Sequence, residues 1–366
     1  MKKILIVSNS TFIEYRFRKR TIKKLLKFYK VYLLAPFEEY ESDLRKLGCE
    51  LIELKINGRG TNLIEELSTF KQINSVVRII KPDVLITFTI KPNIYSGLIL
   101  SKKKVKHVAN LTGLGSALEN RGIKNKIIKN LYIKALEKSD YLIFQNLENK
   151  YKAENMGILQ KQKYLLTPGS GVDLDKFIYV DYPQNDRLEL LFIGRVMKDK
   201  GIDELIVLDK FIKDKGLNAS ISIIGKLIES EYETRLKETN IKYLGFKKDT
   251  ISYMKESDII IHPSYHEGMS NALLEGAAIG RPLLASNIAG CREIIEDGKT
   301  GFLFELGDKK SLINAFLKIY NLSYEDRKKM GKEGRIKVQR EFDREIVSDI
   351  YMDLINELLG EDNDNL

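Results

Sequence analysis

Residues 261–287 read IHPSYHEGMSNALLEGAAIGRPLLASN, and this stretch decides the fold. It continues an apolar strand, Asp258–His262, that ends at Pro263. A short polar loop holding Glu267 and Gly268 comes next, and a helix is expected from about Asn271. Gly268 permits the tight turn, and Ser270 or Asn271 can cap the helix. A second apolar run lies in RPLLASN (281–287). Strand, loop, helix and strand in that order form a βαβ unit, which builds a parallel sheet.

The same alternation extends in both directions. KKILIVS (2–8), KVYLLAP (30–36), CELIELKI (49–56), DVLITFT (83–89), KHVANLT (106–112) and DYLIFQN (140–146) are continuous apolar runs rather than alternating ones, as buried parallel strands are. Amphipathic stretches such as Glu65–Ile80 and Lys124–Lys138 lie between them. The pattern pauses at the polar Tyr179–Arg187 and restarts with LELLFIGR (188–195), ASISIIGK (219–226), IKYLGF (241–246) and SDIIIHPS (257–264). At 366 residues the chain exceeds what one core usually serves. The expected fold is α/β, with two Rossmann-like domains at 1–178 and 184–344 facing a central cleft. The last amphipathic segment, about Arg340–Leu359, carries Ile346, Ile350, Leu354 and Leu358 four residues apart. Residues 345–366 are expected to pack back on the first domain. Doubly wound sheets bind ligands at the C-terminal ends of their strands, and the chemistry belongs there.

Composition is that of a globular protein, 43% hydrophobic and 31% charged, which excludes a disordered or fibrous chain. The two cysteines, Cys49 and Cys291, fall in different halves and support neither a disulfide framework nor a Cys-ligated zinc site. The N-terminal apolar run is too short for a signal peptide, and no stretch reaches the length of a membrane span. A cytoplasmic chain, soluble or resting on the inner face of the cell membrane, is the expectation. The net charge of +10 is uneven: residues 1–180 carry 33 Lys and Arg against 17 Asp and Glu, residues 181–366 carry 28 against 34. A basic first half suits anionic lipid, a phosphorylated acceptor or nucleic acid; a Lys-rich compositional bias is the plainer account.

A helix N-terminus at the end of a parallel strand suits a diphosphate. Glu267 lies before that helix and Glu275 within it. Carboxylates beside a diphosphate would repel it, so their natural partners are sugar and ribose hydroxyls. In FIGRVMKDKG (192–201), Arg195 and Lys200 leave a strand tip and can neutralise charge on a departing diphosphate, or can be plain surface charges.

These residues resemble family 4 of the retaining glycosyltransferases. Gly194, Arg195 and Lys200 match that family's glycine–arginine–four residues–lysine motif, and Glu267 and Glu275 its glutamate–seven residues–glutamate motif. Gly280-Arg281-Pro282, Gly290, Glu293, Asp297-Gly298 and Gly301-Phe302 follow in family order. The resemblance is strong across the C-terminal half and implies the two-Rossmann-domain (GT-B) fold. It further implies that Arg195 and Lys200 hold the donor diphosphate. Glu267 would hold the donor sugar with the backbone of Gly268, Met269, Ser270 and Asn271, and Glu275 would bind ribose. A UDP-sugar is the implied donor, with no metal and no separate cofactor. Within the family, LTGLGSALENRG (111–122) is similar to enzymes that build undecaprenyl-diphosphate-linked glycans.

Other motifs point elsewhere. Asp173 and Asp175 spell an Asp-x-Asp, but in a Gly-Val-Asp turn that the family uses structurally. His262 and His266 do not share a helix face, so zinc is not expected. The turn after Val7 lacks the paired glycines of a dinucleotide fingerprint, which argues against a dehydrogenase. Many family members carry a histidine after a strand in the first domain; the comparable 107–120 has Asn110 and Thr112 instead. The expected helix at about Glu14–Tyr29 carries seven cations and can rest on anionic headgroups, or can be a core helix with a solvated face. Lys102–Lys104 and Lys124–Lys129 extend the basic surface. Arg18, Lys91, Thr112 and Gly113 are the candidate acceptor contacts. A soluble acceptor is the alternative, and a nucleic-acid-binding module a remote one, since no recognition motif for it is present.

Overall fold

Two all-parallel sheets form from the apolar runs. The computed structural model describes residues 1–57, 60, 62–100, 105–113 and 122–360. The first sheet comprises β1 (Lys3–Val7), β2 (Lys30–Ala35), β3 (Glu50–Glu53), β4 (Val84–Phe88), β5 (Lys106–Leu111), β6 (Tyr141–Phe144) and β7 (Lys163–Leu166), in the order β3-β2-β1-β4-β5-β6-β7. The second comprises β8 (Leu188–Ile193), β9 (Ala219–Ile224), β10 (Lys242–Tyr243), β11 (Ile259–His262), β12 (Leu283–Ser286) and β13 (Gly301–Phe304), in the order β10-β9-β8-β11-β12-β13. Strand order reverses between β1 and β4, and again between β8 and β11. Ligands of such sheets bind beyond the C-terminal ends of those strands.

β7 and β13 are absent from the sequence reading. Each is an outermost strand with one neighbour. β7 is largely exposed and so lacks the apolar signature. β13 begins at Gly301, where a Cβ would come 2.2 Å from the Leu283 carbonyl oxygen.

The chain divides into one unit of Met1–Ser170 with Arg344–Leu366 and another of Gly171–Asp343. The boundary expected at 178 therefore falls earlier. Residues 171–180 belong with the second unit because Val172 N–H donates to Phe342 O (2.8 Å), Val180 N–H donates to Ile279 O (3.1 Å), and Phe177 is buried in its core.

The segment expected as one helix from Arg340 is divided. Tyr324–Glu341 is one helix, and Arg344–Leu359 is another that packs in the first unit. The latter buries Val347, Tyr351, Met352, Leu354 and Ile355, while Ile346 and Ile350 are only half-buried. A 3.6-residue turn alternates three- and four-residue steps, so the buried stripe runs through Val347, Tyr351, Leu354 and Ile355 and keeps only Leu354 of the strict four-residue series. This helix meets Thr11–Leu25 through Thr21 Oγ1 and Ser348 Oγ (3.1 Å), while just beyond that helix Tyr29 Oη donates to Asn356 Oδ1 (2.6 Å). Thr11–Leu25 starts earlier than expected because Ser10 caps it, its Oγ accepting from Ile13 N–H (3.2 Å).

Candidate functional site

In the second unit, the loops after β8 and β11 meet at the switch point. Gly201 (φ +78°) lies so close to Pro263 that a Cβ would be 2.0 Å from its carbonyl oxygen. Tyr265 N–H donates to Asp199 O (3.0 Å), joining the same two loops, and Tyr265 Oη donates to Glu204 (2.5 Å).

Lys200 and Glu267 meet across this junction. Lys200 Nζ is 2.5 Å from Glu267 Oε1, both side chains being 14% exposed, and Nζ also reaches Ser264 Oγ (3.3 Å) and His266 O (3.4 Å). His262 Nε2 lies 2.7 Å from the same Oε1. Burial pushes the Glu267 carboxyl up, yet the His262 hydrogen bond and the Lys200 charge outweigh it and hold it well below the usual carboxylate range.

The helix beyond this carboxylate is Asn271–Ile279, with Ser270 as its cap. Ser270 Oγ accepts from Leu273 N–H (3.4 Å), and Ser270 N–H itself donates to Gly290 O (2.9 Å). Among the amides expected to face the donor, that of Ser270 is thus engaged. The first-turn N–H groups of Asn271 and Ala272 have no intrahelical acceptor. Met269, in the same loop, is buried in the core, and Glu275 is buried in the middle of the helix. Arg195 is exposed just beyond Gly194 at the tip of β8, with no hydrogen bond or ion pair among the described residues. This corner can hold an anion by cation and helix end while presenting one carboxylate to hydroxyl groups.

In the first unit, a small cavity opens beyond β4, β5 and β6, lined in part by Arg18, Phe88, Asn110, Thr112 and Gln145. Arg18 donates to Glu14 Oε1 (2.7 Å), and its guanidinium sits 3.6 Å from the Phe88 ring centre. Glu14 is fully buried; burial raises its carboxyl, against the pull of Arg18. Among the described residues, Gly113 has no atom beyond its chain neighbours within 4 Å of where a Cβ would stand. Lys91 is placed differently from Arg18. Its ammonium donates to Asn57 O (2.5 Å), Gly60 O (2.7 Å) and Glu66, so an acceptor contact would require giving one of these up. The cations of Thr11–Leu25 are also partly engaged: Lys24 pairs with Glu345 and Asp349, and Arg20 with Glu345. Lys102–Lys104 and residues 114–121 of the run LTGLGSALENRG lie outside the described residues.

Asp173 Oδ1 accepts from Lys176 N–H (3.2 Å), the turn role the sequence suggested. His262 faces Glu267 while His266 is exposed. The sequence reading missed His262 as a partner of Glu267; the available signal was its place five residues before Glu267 at a strand end.

The fold matches solved structures over nearly the whole chain. Sucrose-phosphate synthase from Thermosynechococcus elongatus superposes with TM-score 0.83 at 16% identity, covering 98% of this chain and 100% of that one. Anabaena Alr3699/HepE, solved in complex with UDP and glucose, superposes with TM-score 0.79 at 14% identity, covering 98% and 100%. Among curated relatives, the capsular polysaccharide biosynthesis glycosyltransferase CapM of Staphylococcus aureus is 31% identical over 183 residues, 48% of each chain. Two others align over most of their length. The N,N'-diacetylbacillosaminyl-diphospho-undecaprenol alpha-1,3-N-acetylgalactosaminyltransferase of Campylobacter jejuni is 26% identical, covering 81% of this chain and 84% of that one. The UDP-Gal:alpha-D-GlcNAc-diphosphoundecaprenol alpha-1,3-galactosyltransferase of Escherichia coli is also 26% identical, covering 81% and 82%. Family models match both halves: glycosyl transferases group 1 over residues 180–337 and glycosyl transferase 4-like over residues 3–146. Two doubly wound units with these matches define a glycosyltransferase of the GT-B fold. The chain is a glycosyltransferase whose second half matches the group 1 model and whose first half matches the 4-like model, in agreement with the resemblance to family 4.

Proposed function

We propose that the chain transfers a hexose or N-acetylhexosamine from a UDP-sugar, with retention, to an undecaprenyl-diphosphate-linked saccharide in bacterial polysaccharide or glycan assembly. The observation that carries the donor reading is the Lys200–Glu267 pair at the switch point, beside the capped start of Asn271–Ile279. Arg195 and Lys200 bind the diphosphate with the Asn271 and Ala272 amides, Glu267 holds sugar hydroxyls, and Glu275 holds the ribose. No metal is assigned, because cations and helix end supply the positive charge. The bond from the sugar's anomeric carbon to UDP breaks as the bond to the acceptor oxygen forms on the same face. The departing phosphate oxygen takes the acceptor's proton, and Arg195 and Lys200 stabilise the charge it leaves.

Support for the lipid-linked acceptor comes from the Campylobacter and Escherichia relatives, whose names carry undecaprenol diphosphate. Arg18 with Thr112 and Gly113 is assigned to the acceptor side, and the basic first unit to the anionic inner face of the membrane. Among the described residues no helix is long and apolar enough to cross a membrane. The engagement of Arg20 and Lys24 by acidic partners favours, as a second reading, the same transfer to a soluble saccharide. A transfer assay decides between them. Product from a polyprenyl-diphosphate glycan but not from the free saccharide supports the lipid-linked acceptor, and the anomeric coupling constant of the product reads retention. Equal turnover of the free saccharide, or inversion, overturns the corresponding part.

A further inference from the structure

We infer that His262 is a positioning residue for the donor sugar: it fixes one oxygen of Glu267 so that the other is held toward the ligand. This inference rests on the donor-site reading above. His262 closes β11, where its backbone is in register with Ala285 of β12 and its carbonyl oxygen receives Ser286 Oγ (3.5 Å). The residue is 4% exposed, and its ring stacks on Phe192 of β8, with centres 5.9 Å apart and planes within 15°. Backbone and ring plane are therefore both set by the sheet, and Nε2 is aimed at Glu267 Oε1 (2.7 Å).

Oε1 thus takes two donors, His262 Nε2 and Lys200 Nζ, while Oε2 makes no hydrogen bond among the described residues and is not sealed from solvent. Such an arrangement leaves one carboxylate oxygen presented in a fixed direction. His262 Nδ1 is buried with no hydrogen-bond partner among the described residues. A proton there would be an unsatisfied buried donor, so the tautomer carrying its proton on Nε2, shared with Glu267, is the one the surroundings accept. Lys200 alone would hold Glu267 less firmly. Its ammonium also contacts Ser264 and His266, and in the proposed reaction it turns to the diphosphate.

His262→Phe keeps the ring and its stack on Phe192 but removes the donor, and His262→Gln restores an N–H of similar reach. Calorimetric titration with UDP and with the preferred UDP-sugar separates sugar recognition from nucleotide binding. The expected result for His262→Phe is UDP affinity within about twofold of wild type and UDP-sugar affinity about tenfold weaker, with Gln recovering most of the loss. Unchanged UDP-sugar affinity overturns the inference, as does an equal loss for UDP and UDP-sugar. If the Phe variant does not fold, His262→Asn, too short to reach Glu267, is read by the same criteria. Wild type that binds neither ligand would instead refute the donor-site reading itself.

Discussion

Replacing Gly290 by alanine introduces a single methyl group beneath Glu267. Gly290 has φ +84°, and its Cβ would stand 2.8 Å from both Glu267 Cβ and Gly268 O. The left-handed backbone costs an alanine about 1–2 kcal/mol. Crowding adds about 1–3 kcal/mol, since the Glu267 loop must move. Gly298 isolates the first cost: its φ is +77°, and among the described residues no atom beyond its chain neighbours lies within 4 Å of the added carbon. Gly290→Ala should therefore unfold about 1–3 kcal/mol more easily than Gly298→Ala, lowering the melting transition by about 2–4 °C per kcal/mol in a domain of this size. Because the displaced group is Glu267, Gly290→Ala should also weaken UDP-sugar binding, and Gly298→Ala should leave it intact. Differential scanning calorimetry and donor titration on the two variants read both effects. Equal melting and equal donor affinity would refute the reasoning that Gly290 is a glycine because Glu267 needs the space.

Two further outcomes follow from buried groups. His107 lies between Thr87 Oγ1 (3.0 Å) and Ser139 Oγ (2.9 Å), and burial pulls it down to about 4, against the pull of Asp140. Above about pH 6.5 the imidazole is neutral folded and unfolded; below it only the unfolded chain takes the proton, so stability falls by about 3 kcal/mol between about pH 6.5 and 4. Urea unfolding across that range should show this slope in wild type and a shallower one in His107→Gln; equal slopes would contradict it. The Arg281 guanidinium is fully buried and donates to the carbonyls of Met254 (3.0 Å), Val180 (3.1 Å), Asp181 (3.1 Å) and Lys255 (3.1 Å). Arg281→Ala orphans these carbonyls and should cost about 3–5 kcal/mol in chemical denaturation, with lysine, which has fewer donors, recovering less than half.

The central strands were legible because each is buried on both faces and reads as an unbroken apolar run, as in Ile4–Val7 or Ile259–Ile261. The outermost β7 was not, because a strand exposed on most residues carries no such run. The domain boundary was misplaced for a related reason. Val172 and Phe177 look like the approach to a linker, and only their burial in the second unit's core assigns them. At the site, motif spacing identified Arg195, Lys200, Glu267 and Glu275 as candidates. It could not show that Lys200 and Glu267, 67 positions apart, touch. The role of His262 beside Glu267 is not legible, because a strand-end histidine has no periodic signal that names its partner. The first-unit cations read as one basic face, whereas Arg18 turns inward to Glu14 and Phe88, and Lys24 to the last helix.

The donor site is tested most directly by a thermal-shift and calorimetric screen of the purified chain against UDP-, GDP- and ADP-sugars, repeated on Glu275→Ala and Lys200→Met. Selective stabilisation by one UDP-sugar, abolished in Glu275→Ala and strongly reduced in Lys200→Met, is the predicted result. No response to any nucleotide sugar, or a response that both variants retain in full, would contradict it.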